Sequence, residues 1–295
     1  MKNFLYLFAL LLCVGLVSCE KEYDADTAES NYEAAPGRRV ASLKTTYTSK
    51  GNEYSFEHNF SYDANGRIKS VNSNIVHYVA DKMFFDTVYT RCNITSSADY
   101  FYNGERLDVA YSVTREYPSD PSRNNRESGV DYGVFNSAGV LTRFSSVDFV
   151  YSTTMLQQGF ADGDAYFNVI RDGSGNVSGY TKYRTSTDEL LGNKSGCYFY
   201  SPFRNKTNFD FSAYFGYWGV EQAVRMISVP YYATYQLAAF GMLGATSQQL
   251  PFGIVKKDAD GKDNYIYGEW ELDSQDYPLS FVDADGRRTE ITYCE

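Results

Sequence analysis

The chain has 295 residues, a formal net charge of −10, and 28 Tyr and 20 Phe. Aromatic residues fit a pleated, half-buried surface, so the composition favours strands. The negative charge argues against partners held through their phosphates, nucleic acid above all.

Met1-Lys2-Asn3 is a short basic start, and Phe4 to Val17 is an apolar run of fourteen residues. That length suits the core of a signal peptide better than a membrane span of about 20 residues. The run ends Leu16-Val17-Ser18-Cys19, which resembles the lipobox of bacterial lipoproteins. The resemblance implies that Cys19 becomes the first mature residue and carries diacylglycerol on its thiol. The membrane is then a partner through that anchor, and two or more acyl chains hold a protein stably where one does so only marginally. With Lys2 removed, 37 acidic residues face 26 basic ones, a net charge of −11.

Glu20-Lys21-Glu22-Tyr23-Asp24-Ala25-Asp26 follows, and it is similar to the acidic stretch of surface-exported lipoproteins in the Bacteroidetes. Residues 1–18 therefore read as signal peptide, 19–39 as an acidic tether ended by Pro36-Gly37, and 40–295 as a single β-meander domain. The expected location is the outer membrane, at the cell surface or on the periplasmic face. Cys92, Cys197 and Cys294 remain in the domain, an odd number, so at most one pair closes within it. No two have zinc-ligand spacing, and neither a metal nor a cofactor is expected.

From Tyr54 to Tyr62, Tyr54, Phe56, His58, Phe60 and Tyr62 alternate with Ser55, Glu57, Asn59 and Ser61, the period of a strand with one wet face. Asp63-Ala64-Asn65-Gly66 then turns the chain: Asp and Asn bond local backbone, and Gly takes the left-handed conformation. Related turns stand at Tyr102–Leu107, Phe135–Val140, Arg171–Val177, Asp258–Lys262 and Val282–Arg287. Six such turns imply about twelve strands. Hairpins with one dry and one wet face, joined without helical crossovers, predict an all-β fold: a strongly curved antiparallel meander or partial barrel. The Asp-rich turns echo a calcium loop, but with Gly261 at its sixth position the first and twelfth are Lys256 and Tyr267, which lack the required carboxylates.

Tyr117–Gly129 and Thr185–Gly196 read as polar loops. Gln236 to Ser247 (QLAAFGMLGATS) trades Val and Tyr for Leu, Ala and Met, with Leu237, Phe240 and Leu243 three apart, and predicts a short buried helix covering the concave face of the sheet. An irregular buried loop is the alternative, because of Gly241 and Gly244. Leu243–Pro251 (LGATSQQLP), Asn205–Asp210 (NKTNFD) and the YDANGR-type turns resemble a Bacteroidetes lipoprotein family of unknown function with a porin-like β fold. The resemblance implies a many-stranded, curved antiparallel sheet over residues 40 to 295 and brings no catalytic residues. Tyr62-Asp63-x-x-Gly66-Arg67 is also similar to the tyrosine-aspartate repeats of Rhs-type shells.

No G-x-S-x-G, H-E-x-x-H, P-loop or dinucleotide fingerprint is present, and His58 and His77 are the only histidines. His58 lies between Phe56 and Phe60 and reads as a core residue. Glu269 and Glu271, on the wet face with Tyr265 and Tyr267, are the best catalytic candidate, a carboxylate pair whose spacing is permissive for glycan cleavage, since alternate Cα atoms on a strand lie about 6.5 Å apart, though such pairs occur on many solvated strands. The chain is otherwise expected not to be an enzyme. Three functions stay open: a binding or adhesion module whose Tyr217, Trp218, Tyr231 and Tyr232 meet a glycan or a surface protein, a carrier holding lipid in the concave sheet, and a glycan-active enzyme. A membrane-spanning porin is disfavoured, because no apolar outer band with aromatic girdles is legible.

Overall fold

The computed structural model describes residues 30, 32–83, 86–144, 147–148, 159–162, 165–184, 187, 189–195, 198–216, 237, 239–242, 244, 246–257 and 263–295. The strands are β1 (Val40–Ser49), β2 (Asn52–Tyr62), β3 (Ile68–Met83), β4 (Asp86–Asn103), β5 (Arg106–Glu116), β6 (Asn125–Phe135), β7 (Leu141–Phe144), β8 (Val147–Asp148), β9 (Gly159–Asp162), β10 (Ala165–Arg171), β11 (Val177–Arg184), β12 (Leu190–Ser195), β13 (Tyr198–Arg204), β14 (Gln249–Lys257), β15 (Asp263–Leu272), β16 (Pro278–Asp283) and β17 (Arg288–Tyr293), and the described residues include a 3-10 turn (Pro121–Arg123) and the helix α1 (Phe211–Gly216).

Thirteen strands form one antiparallel sheet in the order β13-β14-β15-β16-β17-β1-β2-β3-β4-β5-β6-β7-β8, and β9 to β12 form a second sheet of four. The expected curved antiparallel meander is the observed fold, with more strands than the six turns implied. Pairing of β1 with β17 joins the two ends of the chain, Leu43 opposite Ile291 and Thr45 opposite Thr289. The large sheet is not closed into a barrel: β8 and β13 are its edges, and among the described residues no ladder joins them to the smaller sheet. Part of the Thr185–Gly196 stretch expected as a loop is strand β12, paired with β11. Its polar sequence, LLGNKS, hides a strand whose partner supplies the order.

Five hairpins share one device. Asp63, Asn136, Asp172, Asp273 and Asp283 each accept, on a side-chain oxygen, the N–H groups two and four residues ahead. The residue three ahead has positive φ: Gly66, Gly139, Gly175, Asp276 and Gly286. This is a type I turn closed by a bulge at a left-handed residue, which explains why Gly recurs there. The turn at Asp273 went unread because Asp276, at φ 63°, stands where the others have Gly. Asp tolerates that conformation better than most side chains. The Asp63 copy carries an addition, since Oδ2 also accepts from Arg67 Nε at 2.6 Å and both side chains are buried. Arg67 lies over the Tyr102 ring at 4.4 Å.

The core lies on the inner face of the large sheet. Leu43, Phe56, Val71, Ile75, Ile94, Val109 and Val113 point into it from β1 to β5, and Phe209, Phe211, Tyr214, Leu237, Phe240 and Met242 meet them from the segments that cross it. Each such Leu or Phe, fully buried, contributes roughly 1.5–3 kcal/mol. Of the helix expected at Gln236–Ser247, the described part is a helical end with Leu237 and Phe240 buried. Met242 N–H bonds Leu237 C=O at 2.9 Å with Gly241 at φ 76°, the six-to-one closure that ends helices on a left-handed glycine. Phe240 then packs edge-on to Phe60 and Phe209. α1, which the sequence reading missed, shares this covering role; Asp210 caps it by accepting Ser212 N–H at 2.9 Å.

The packed unit begins before residue 40. Tyr32 is buried, packed on Tyr102 and Phe135 with centroids 5.8 and 5.3 Å away, and donates to Phe240 C=O at 2.7 Å. The last part of the stretch read as tether is thus bound to the domain. An apolar anchor inside a polar, acidic sequence gives no period by which to find it.

Candidate functional site

Two places gather polar or aromatic side chains beyond what the strands need. The first is buried. Asp210 accepts Ser212 N–H and Oγ–H on Oδ1 and Ser247 N–H on Oδ2, at 2.9, 2.5 and 2.8 Å. Ser212 Oγ and Ser247 Oγ are 2.8 Å apart, and Asn205 Nδ2 donates to the carbonyls of Phe209 and Ser247. Asn176, from the hairpin between β10 and β11, accepts Gln249 N–H and donates to Gln249 Oε1 at 2.9 and 2.8 Å. NKTNFD and LGATSQQLP, the stretches that carried the resemblance, are therefore each other's hydrogen-bond partners. A Ser-Ser-Asp set invites a nucleophile reading, but Asp210, Ser212 and Ser247 are all buried and satisfied within the fold. They form a polar knot that fixes the core segments, as fully paired buried networks do.

His58 belongs to the same interior. It is buried, Nδ1 lies 2.9 Å from Ser73 Oγ, its ring meets Tyr214 edge-on, and Nε2 has no partner among the described residues. Burial pushes its pKa down to about 4, so the imidazole is neutral. That agrees with the core reading of the sequence.

The second place is on the outer face of β13–β15. Trp270 points inward, packing on Phe211 and Phe281 and donating to Pro251 C=O at 2.6 Å. By alternation Tyr267, Glu269 and Glu271 point outward. Gly253 is the cross-strand partner of both Phe199 and Tyr267, and a bulge beside it leaves Phe252 free of the pairing. Tyr267 therefore stacks on Phe252 at 5.9 Å and lies 5.7 Å from Phe199, and the two Phe rings are 6.1 Å apart. Tyr267 keeps 41% of its surface exposed.

The sequence put Tyr267, Glu269 and Glu271 on one wet face, and they lie on one. It missed Phe199 and Phe252, because only the register of three strands brings them to Tyr267. The Glu269–Glu271 pair is exposed, and Glu271 accepts from Ser280 Oγ and Arg288 Nη2, both at 3.0 Å. These two partners hold the Glu271 carboxyl below its usual range.

No family model matches the sequence, and no curated protein matches it. Among solved structures the chain is similar to a porin-like protein from Bacteroides uniformis, with 9% identity, a TM-score of 0.49, and cover of 89% of this chain and 100% of that one. Among the described residues no group of His, Cys, Asp and Glu is arranged to hold a metal, and no helix is long and apolar enough to cross a membrane. Cys92 and Cys294 are unpaired thiols; Cys197 lies outside the described residues. So do Cys19 and the four candidate ligand residues Tyr217, Trp218, Tyr231 and Tyr232.

Proposed function

We propose that this protein is a lipid-anchored binding module of the outer envelope that stacks a glycan on the aromatic strip of β13–β15. The observation that carries the reading is the strip itself: three rings in mutual contact, Tyr267 exposed among them, on an outer face that also bears Glu269 and Glu271. A planar ring offers an apolar face to the C–H side of a sugar, and adjacent carboxylates accept from its hydroxyls. The lipobox at Leu16–Cys19 supports the anchor and an outer-membrane location.

Two observations weigh against the other functions. A carrier needs room on the concave face, and Phe209, Phe211, Tyr214, Leu237, Phe240 and Met242 occupy that face with the protein's own side chains. A glycosidase needs a carboxyl kept protonated near neutral pH, whereas Ser280 and Arg288 favour the ionised form of Glu271. The test is a glycan array probed with the mature protein and with Tyr267→Ala and Phe252→Ala. Binding lost in both variants is the expected result. An array silent for the wild type, or glycan binding untouched by both substitutions, would overturn the reading.

A further inference from the structure

The N-terminal segment is fastened across one end of the large sheet. Ser30 bridges to Gly104 in the turn between β4 and β5, and Tyr32 packs on Tyr102 and Phe135. Further on, Arg38 bridges to Thr207; its N–H donates to Lys206 C=O and its carbonyl accepts from Asn208 N–H. The Arg38 guanidinium sits 4.4 Å over Tyr293 and 3.6 Å from Asp273.

Those contacts all fall at one end. Tyr102 O–H donates to Ile68 C=O beside the β2–β3 turn, Phe135 N–H to Glu105 C=O in the β4–β5 turn, and Asp273 begins the β15–β16 turn. The opposite end holds the Lys50-Gly51 turn, the 117–124 loop tied to β3 through Arg123 and Asp81, and the 283–287 turn, whose Arg287 lies over Tyr47.

We infer that the strap-bearing end of the sheet faces the bilayer, and that the Lys50-Gly51, 117–124 and 283–287 turns point away from it. The inference rests on lipidation at Cys19. Ten residues lie between Cys19 and Ser30, and the eleven Cα-to-Cα steps, fully extended, reach at most about 40 Å. As a flexible coil they average about 18 Å. β4 alone has 18 residues and runs about 60 Å from one end to the other. The fixed exit at Gly104 thus lies within reach of the membrane only when its own end is the near one, or when the sheet lies flat. Lying on the outer face of β15–β17 brings Glu269, Glu271 and Glu290 against anionic headgroups, and Arg288, which pairs with Glu271 and Glu290, offsets only one of the three charges.

Lipidated full-length protein, its Cys19 acylation confirmed by mass spectrometry, is reconstituted into phosphatidylethanolamine and phosphatidylglycerol vesicles carrying a headgroup acceptor dye. Donor dyes are attached singly at Ser137→Cys on the strap end, Ser122→Cys on the far end and Glu269→Cys on the outer face, with Cys197 and Cys294 replaced by Ser. The expected transfer is strongest at position 137 and at least several-fold weaker at 122. Equal transfer at 137 and 122, or strongest transfer at 122 or 269, overturns the inference. Twenty Gly and Ser residues inserted between Cys19 and Ser30 should erase the contrast; a contrast that survives the insertion shows that the strap is not what sets the orientation. Absence of the acyl mass at Cys19 rejects the anchor itself and is read before any transfer.

Discussion

The knot around Asp210 and the strip around Tyr267 are built on the inner and outer sides of neighbouring strands, and they invert the usual signs of a site. The knot has the side chains of a motif, but Asn176, Asp210, Ser212 and Ser247 are buried, Asn205 is half-buried, and the Asp and Ser oxygens are bonded within the fold. The strip has only rings and two carboxylates, and it is the place that meets solvent. Polar residues that recur in a sequence pattern are here the ones that hold backbone together. What distinguishes the strip is exposure of apolar area, which no residue type announces.

That contrast is open to test. Substitutions in the interior should cost stability and leave glycan binding alone; those in the strip should do the reverse. The largest expected loss is at Asp63→Ala, which opens a hairpin and takes the paired carboxylate from the buried Arg67 charge. About 3–5 kcal/mol is expected from urea denaturation. Asp210→Ala removes a helix cap and takes the acceptor from Ser212 N–H and Ser247 N–H, for a loss of about 3 kcal/mol by the same measurement.

His58 gives the interior a pH dependence. Its neutral form is favoured in the fold, with a pKa near 4 against 6.5 for the exposed group. The unfolded chain therefore binds the extra proton first as pH falls. Stability should be full above pH 6.5 and decline by about 3 kcal/mol down to pH 4, and His58→Gln should flatten most of that slope. His77, lowered by burial and by Arg115, adds a smaller decline of the same sign.

Asn136→Ala breaks the same turn device as Asp63 but buries no charge, so a loss of about 1 kcal/mol is expected. Equal losses at 63 and 136 would show that the ion pair contributes nothing beyond the turn. Tyr267→Ala is the smallest in stability, about 0.5 kcal/mol, and the largest in glycan binding.

Tyr54 to Tyr62 gave its strand and its dry face outright, because period two survives in any context that buries one side. The Asp-x-x-Gly turns were equally plain, and Asp273–Tyr277 escaped only because Asp replaces Gly. α1 carried a legible signal, Asp210 before Phe-Ser-Ala-Tyr, but six residues are too few for a helical period to stand out. Tyr267, Glu269 and Glu271 were placed on the right face by alternation alone. Phe199 and Phe252 were not joined to them, since the register of β13 on β14 and β14 on β15 is a property of the pairing.

The sequence by itself determined the strands, the hairpins and the antiparallel meander, because alternation and turn chemistry act over a few residues and need no distant partner. Tertiary structure decided the rest. It paired β1 with β17, set Asn176 on Gln249 across 73 residues, and drew Tyr32 under Phe240 across 208. Such contacts close long loops at an entropy cost that rises only slowly with separation. Local patterns therefore carry no trace of which distant segments meet, and burial of complementary surface selects them.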